Sequence, residues 1–425
     1  MGSKAFVRST TSHRAGQRYH RAMSRRRSLP VVVFALVLAL SWVGVASSAS
    51  AAPPEWVARI QEVVGDRPFS VAVGNDGDYW YRHQAWVRRA PASNQKLLLS
   101  MALFDRYGTD HTIRTWAMSD GDVVDGIVRG DLWLVGSGNP DLGTIDLSRL
   151  AAELDEMGIR RIRGGVRGDT GPFARDWWAT GWRDYFPDIY IALPTALTFK
   201  QNRDTAGRMV TDPERRAAQT MTARLRARGI EVRDPAAAGT PPAGMDPLAW
   251  VDSAPLEGLV RRMNVRSRNF WAEVLGKRLG ADAYGRGSIA NGAKATCAFT
   301  AARGQDFACY DGSGLSYANR ASALGIVELL WDAQATPWGD TLRSTLPGGG
   351  QGTLEDRLEQ VRLRAKTGTL EDVSALSGWV WLELSNEWAE FSILSSGFDD
   401  QTAKAIEDQI VKVVSASASD PDPTD

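Results

Sequence analysis

The 425-residue chain carries 50 Lys+Arg against 50 Asp+Glu, with 43% hydrophobic and 24% charged residues. That composition belongs to a core-forming globular protein long enough for two packed units, and it excludes a fibrous or wholly disordered chain. The charge is unevenly spread: eight basic residues and no acid fall within residues 1–51, leaving 42 basic against 50 acidic beyond them, a net of −8. Nucleic acid is therefore not an expected partner, because that affinity comes mainly from neutralised phosphates.

Residues 1–51 read as an export signal, with a basic stretch ending at Arg25-Arg26-Arg27, an apolar run from Val31 to Leu40, and the small-x-small site Ala49-Ser50-Ala51. The apolar run is shorter than the ~20 residues a membrane span needs. The expectation is an exported, periplasmic or cell-wall-associated protein with at most peripheral membrane association. Pro54 to Val64 has helical spacing, and Phe69–Val73 and Tyr79–Tyr81 form strands around an Asn75-Asp76-Gly77 turn. A helix begins at Ser93, with Leu97, Met101 and Phe104 on one face. Residues 105–255 are richer in turns and mix short strands with helical stretches such as Arg215–Arg228, while Ala236–Asp246 reads as a surface loop.

Helices follow over Leu256–Asn264 and Phe270–Leu279. Val373–Leu384 and Glu387–Ser395 alternate as a β-hairpin around Ser385-Asn386, and Ala403, Ile406, Ile410 and Val414 mark an amphipathic helix. The tail, residues 415–425, is small and polar and is expected to be disordered. Cys297 and Cys309 are an even, closely spaced pair, which in an exported chain suggests one disulfide. Only four histidines exist, two of them inside the expected signal, too few for a His-based metal centre.

Three short motifs carry chemistry. In Ser93-Asn94-Gln95-Lys96, residues three apart share a helix face, so the Lys96 amine can reach the Ser93 hydroxyl and, if its pKa is lowered, take its proton. Lysine is scarce here, at eight residues in the chain, and Arg serves for ordinary surface charge. Ser267-Arg268-Asn269 stands just before a helix: Ser267 could pass a proton between Lys96 and a leaving amine, and Asn269 could hold a substrate amide. Lys366-Thr367-Gly368-Thr369 precedes a strand. There Lys366 can bind a carboxylate and depress a neighbouring lysine pKa, Gly368 can admit a substrate backbone, and Thr367 and Thr369 offer hydroxyls. Asp311, within Asp-Gly-Ser-Gly, is explained by turn chemistry. The order Ser-x-x-Lys, Ser-x-Asn, Lys-Thr-Gly is that of the penicillin-recognising serine enzymes.

The surrounding residues sharpen this. Pro91–Leu98, Gly136-Ser137-Gly138-Asn139-Pro140-Asp141-Leu142, Met263-Asn264, Asp311–Ser316, Gly352-Thr353-Leu354 with Arg357, and Ala365–Leu370 resemble the D-alanyl-D-alanine carboxypeptidase/endopeptidase family of low-molecular-mass penicillin-binding proteins, over about residues 55–415. The resemblance implies an α/β (α+β) transpeptidase/β-lactamase-like fold, with a catalytic domain of residues 52–104 plus 256–414 and a mixed α/β subdomain inserted over 105–255. It implies peptidoglycan stem peptides as substrates and β-lactam antibiotics as inhibitors, with no cofactor and no metal. Ser93 would be the nucleophile and Lys96 its base, assisted by Ser267, Asn269 and Lys366. The N–H groups of Ser93 and Thr369 would form the oxyanion hole, and Thr367, Gly368 and Thr369 would contact substrate. Asp169, in Gly168-Asp169-Thr170, matches a segment linked to the peptide's diamino-acid side chain. Two other functions remain open at this point: a β-lactamase of the same fold, and a catalytically silent wall-binding protein.

Overall fold

The computed structural model describes residues 53–418. The expected export signal and residues 419–425 lie outside the described residues. The chain begins with α1 (Glu55–Val64), β1 (Phe69–Asn75) and β2 (Asp78–His83). The β1–β2 hairpin turns at Asp76 and Gly77, both at positive φ (47° and 93°), the mirror-image turn that matches the right-handed twist of paired strands. A 3₁₀ turn at Ala92–Asn94 runs directly into α2 (Gln95–Tyr107). Ser93 therefore sits in the tighter turn ahead of the α-helix rather than at its first residue. The α2 helix is buried continuously from Gln95 to Phe104, Leu97, Leu98, Leu99, Met101 and Leu103 included, as befits a helix enclosed by the core.

Next come β3 (Arg114–Ser119), β4 (Val123–Val124), β5 (Ile127–Val128), β6 (Leu132–Gly136), α3 (Thr144–Glu156), β7 (Arg161–Ile162), β8 (Val166–Asp169), α4 (Phe186–Ile189), α5 (Pro213–Ala227), β9 (Glu231–Val232), β10 (Ala237–Gly239) and β11 (Asp246–Asp252). The chain then forms α6 (Leu256–Val265), α7 (Asn269–Tyr284), α8 (Ile289–Ala301), α9 (Ala323–Gln334) and α10 (Gly339–Thr345). It ends with β12 (Leu363–Leu370), β13 (Val373–Leu382), β14 (Glu387–Ser396) and α11 (Asp400–Ser417).

An antiparallel sheet of order β12-β13-β14-β1-β2 joins the two ends of the chain. Its β13 strand is buried along nearly its whole length, because helices cover both faces. Below one face, Val57, Ile60, Ile410 and Val414 of α1 and α11 pack against Val71, Leu376 and Ile393. Against the other lie α2 and α6 to α9. A separate core is drawn from residues 117–251, around the mixed sheet β10-β8-β6-β3-β11 with α3 and α5 beside it and the short sheet β4-β5-β7-β9. The stretch from Phe173 to Ala196 leaves that core, and Phe173, Trp182, Phe186 and Ile191 pack with α2 and α7. Lys277 of α7, fully buried, fastens this stretch by donating to the carbonyls of Ala174, Asp176 and Pro194 at 2.9–3.0 Å.

Two sequence expectations need correction. Within Ala236–Asp246, Ala237–Gly239 is not loop but an edge strand paired in parallel with Arg167–Asp169. Its small residues have little strand propensity, and the pairing is set by the sheet beside it. At the end of the chain, α11 continues through Ser417. Ser415 is held at both its backbone carbonyl, which accepts from Glu383 N (2.8 Å), and its hydroxyl, which donates to Trp381 O (2.9 Å), and Ala418 is buried. The polar composition of residues 415–418 concealed an anchor. Cys297 and Cys309 are joined as a disulfide, with Cα atoms 5.8 Å apart. Among the described residues no helix is long and apolar enough to cross a membrane, and none group as a metal site.

Candidate active site

The site forms where three segments meet: the 3₁₀ turn before α2, the Ser267–Asn269 connection between α6 and α7, and strand β12. The Ser93 turn is built under constraint. Ala92 has φ +45°, a conformation that disfavours a side chain, and a Cβ on Gly314 (φ +80°) would come within 1.9 Å of the Ala92 carbonyl oxygen. The Asp311–Ser316 turn is thus pressed directly against the back of Ser93. Asp311 holds that turn together, fully buried, accepting from Gly314 N (2.9 Å), Ser316 N (2.8 Å), Asn319 Nδ2 (2.7 Å) and Trp182 Nε1 (2.7 Å). Its role is turn chemistry, as expected from the sequence.

Lys96 is fully buried, and its Nζ lies 2.9 Å from Ser93 Oγ, 2.8 Å from Asn269 Oδ1 and close to the Ser313 carbonyl. Burial pushes its amine down to about 7, against the opposing pull of the Asp311 and Glu273 carboxylates. A base with a pKa near neutrality is present half in its proton-accepting form at the pH where it works. Glu273, one turn along α7 from Asn269, accepts from Gly312 N (3.0 Å) and Ser313 N (2.7 Å), and burial pushes its own carboxyl up to about 8. It therefore holds the turn from inside the core.

Lys366, also fully buried, donates to Ser267 Oγ (3.0 Å) and to the Thr367 carbonyl (2.8 Å). Burial and the neighbouring Lys96 charge hold Lys366 well below the ordinary lysine range. Repulsion between two cations acts on both, so each amine disfavours a proton on the other, and burial is the larger cause for both. Ser267 has φ +51° and its hydroxyl meets Lys366 rather than Lys96. Asn269 touches Lys96 itself, a nearer role than the substrate-amide holder its motif position suggested.

Strand β12 gives Thr367 and Gly368 packing partners that the sequence did not mark. Thr367 is buried and its hydroxyl donates to Thr353 Oγ1 (2.7 Å), while Thr369 is exposed at the cavity. A Cβ on Gly368 would lie 2.8 Å from the Pro91 carbonyl oxygen and 3.0 Å from Ala92 Cβ. The glycine is needed for β12 to lie against the nucleophile turn. Asp169 is buried at the end of β8, accepts from Gly171 N (2.6 Å), is pushed up to about 6 by burial, and takes no part in lining the cavity.

That cavity, about 720 Å³, opens over Ser93, Ser267, Asn269 and Thr369. Sequence reasoning missed most of its outer wall, which consists of Tyr185, Phe186, Tyr190 and Tyr317 on one side and Glu371, Asp372, Asp399 and Asp400 on another. The aromatics come from the irregular Phe173–Ala196 stretch and the turn after Ser316, where no short motif marks them. Asn94, whose Nδ2 donates to Ser377 Oγ (2.8 Å) and so ties the nucleophile turn to β13, was also unmarked.

A serine hydroxyl in contact with a buried, near-neutral lysine amine, beside a second buried lysine and an accessible cavity, can perform nucleophilic acyl transfer. Comparison with known proteins agrees. The model of the D-Ala-D-Ala carboxypeptidase 3 (S13) family matches residues 68–206 and 191–417. A D-alanyl-D-alanine carboxypeptidase of Actinomadura sp. is 27% identical over 432 residues, covering 79% of this chain and 78% of that protein. Penicillin binding protein 4 of Haemophilus influenzae superposes with a TM-score of 0.72 at 21% identity, covering 84% of this chain and 97% of its own. A crystal structure of the same protein complexed with a β-lactam superposes with a TM-score of 0.68, again at 21% identity, with the same 84% and 97% coverage.

Proposed function

Because the chain belongs to the D-Ala-D-Ala carboxypeptidase family whose model spans it, we propose that Ser93 opens the bond between two D-alanines at the end of a peptidoglycan stem peptide. Ser93 Oγ attacks the carbonyl carbon while Lys96 Nζ takes its proton, and the N–H groups of Ser93 and Thr369 receive the developing oxyanion. The C–N bond then breaks as the departing amine of the terminal D-alanine takes up the proton that Lys96 had gained, passed on through Lys366 and Ser267, which leaves Lys96 neutral again. Lys96 then takes a proton from the water that attacks the ester carbonyl and returns it to Ser93 Oγ as the ester bond breaks. The exposed Thr369 hydroxyl and the paired amine and hydroxyl of Lys366 and Ser267 receive the terminal carboxylate.

The observation that carries this reading is the 2.9 Å contact between Ser93 Oγ and the Nζ of a fully buried Lys96. The chemistry is carried by residues 52–104 and 256–414, with 105–255 as an insertion that lends the Phe173–Ala196 stretch to the cavity wall. A β-lactam, which presents its strained amide in place of the D-Ala-D-Ala bond, acylates Ser93. Opening of cross-links by the same acyl transfer, action outside the cytoplasmic membrane and the Cys297–Cys309 disulfide belong to one account, that of an exported wall-trimming enzyme.

The test is release of free D-alanine from a synthetic pentapeptide ending in D-Ala-D-Ala, measured beside its L-Ala-L-Ala counterpart. The reading predicts release from the first alone, lost in Ser93→Ala. Equal cleavage of both peptides, or unchanged cleavage by Ser93→Ala, would overturn it.

A further inference from the structure

Arg268, the middle residue of the Ser267–Asn269 segment, takes no part in the chemistry above. Its guanidinium carbon lies 5.2 Å from the centre of the Trp271 ring, on the wall of a second cavity of about 550 Å³ that shares no lining residue with the catalytic one. Four arginines line this second cavity, Arg261, Arg262, Arg266 and Arg268, against one carboxylate, Asp141. Arg262 engages Asp141. Arg261 meets Glu257 at 3.4 Å and Arg266 meets Glu355 at 4.0 Å, both as exposed pairs that water screens and that contribute little. Arg268 Nε is buried with no hydrogen-bond partner, and so is Nε1 of Trp271, a residue only 1% exposed. The α7 helix starts here with no side-chain cap, so the positive end of its dipole adds to the same field.

Buried donors without acceptors are rare in folded proteins, because each forfeits the hydrogen bonds it had in water. Two of them beside a wall of guanidinium groups form a site short of an anion. Guanidinium forks match the oxygens of phosphate two at a time, and more arginines converge here than one monoanionic carboxylate would occupy. The volume exceeds what a bare ion fills, leaving room for a substituent. We propose that this cavity is an anion site for a phosphate-bearing ligand, held by Arg261, Arg266 and Arg268. The ligand is either free inorganic phosphate or a phosphodiester carried by a larger molecule. The site does not depend on the peptidase reading, since it shares no residue with that machinery. Because Arg268 lies between Ser267 and Asn269, an occupied site would brace the segment that carries both.

The experiment uses the protein purified in phosphate-free buffer. Inorganic phosphate, and separately the soluble diester glycerophosphoglycerol, are titrated at constant ionic strength against chloride, with isothermal calorimetry and Tm as readouts. Saturable heat and a Tm rise that chloride does not reproduce are expected, with Kd weakened about tenfold or more in the Arg261→Gln/Arg266→Gln double variant. Tighter binding of the diester would identify a phosphodiester-bearing ligand, and tighter binding of inorganic phosphate would identify the free ion. A response that chloride matches, or one the double variant leaves unchanged, would overturn the proposal. Acylation of Ser93 by penicillin in the same double variant reports that it is folded and separates failure of this site from failure of the peptidase reading.

Discussion

Lys96 offers the most quantitative consequence of the site. Its amine falls from 10.5 to about 7 because it is fully buried, and at 1.36 kcal/mol per pH unit that shift is worth roughly 5 kcal/mol of preference for the neutral form. About one-tenth of the molecules would hold a neutral Lys96 at pH 6, half at pH 7 and about nine-tenths at pH 8. Stopped-flow measurement of acylation by a fluorescent penicillin should therefore give a rate constant that rises about tenfold per unit below pH 6 and levels off above pH 8. The same group has a stability consequence of defined sign. Its folded pKa is depressed, so between about 7 and 10.5 the unfolded chain binds more protons and stability climbs with pH. Lys96→Met removes that term, so its Tm relative to wild type should be most favourable at pH 6 and decline by pH 9, while acylation is lost at every pH. A rate flat from pH 5 to 9, or one still rising at pH 10, would refute the assignment of Lys96 as a base tuned by burial.

Other consequences follow from packing. Gly314→Ala drives a Cβ to 1.9 Å from the Ala92 carbonyl oxygen; displacement of the nucleophile turn should slow acylation about 100-fold or more, read by the same stopped-flow assay. Arg357 donates to Glu407 Oε2 (2.8 Å) and Asp408 Oδ1 (2.7 Å), and Glu407 is fully buried. Arg357→Ala should therefore cost about 3–5 kcal/mol in urea unfolding, and Glu407→Gln on that background should recover part of it. The Cys297–Cys309 disulfide closes a separation of 12 residues, so replacing both cysteines with serine should lower unfolding free energy by about 3 kcal/mol while penicillin still acylates Ser93.

What the sequence made legible was tied to short-range chemistry. Hairpins at Asp76-Gly77 and around Ser385-Asn386 lie where turn residues interrupt alternating apolar runs. Lysine scarcity was informative because an arginine-rich chain spends lysine where a pKa must move, and Lys96 and Lys366 are both fully buried. Features set by distant packing were hidden. Glu273 reads as an ordinary helix charge, yet α7 turns it inward onto the Gly312 and Ser313 amides. Gly368 reads as a substrate-facing glycine, and only the proximity of Pro91 reveals its packing role. How far each lysine is shifted depends mainly on how deeply it is buried, which spacing does not encode. The Tyr185–Tyr190 wall belongs to a stretch with no periodicity, held in place by Lys277 and the core.

The most direct test is intact-protein mass spectrometry of the chain after incubation with penicillin, for wild type and Ser93→Ala in parallel. The account predicts one stable penicilloyl adduct on the wild type, localised by peptide mapping to Ser93 and absent from the variant. An adduct on any other residue, or none on a folded wild-type protein, would contradict it.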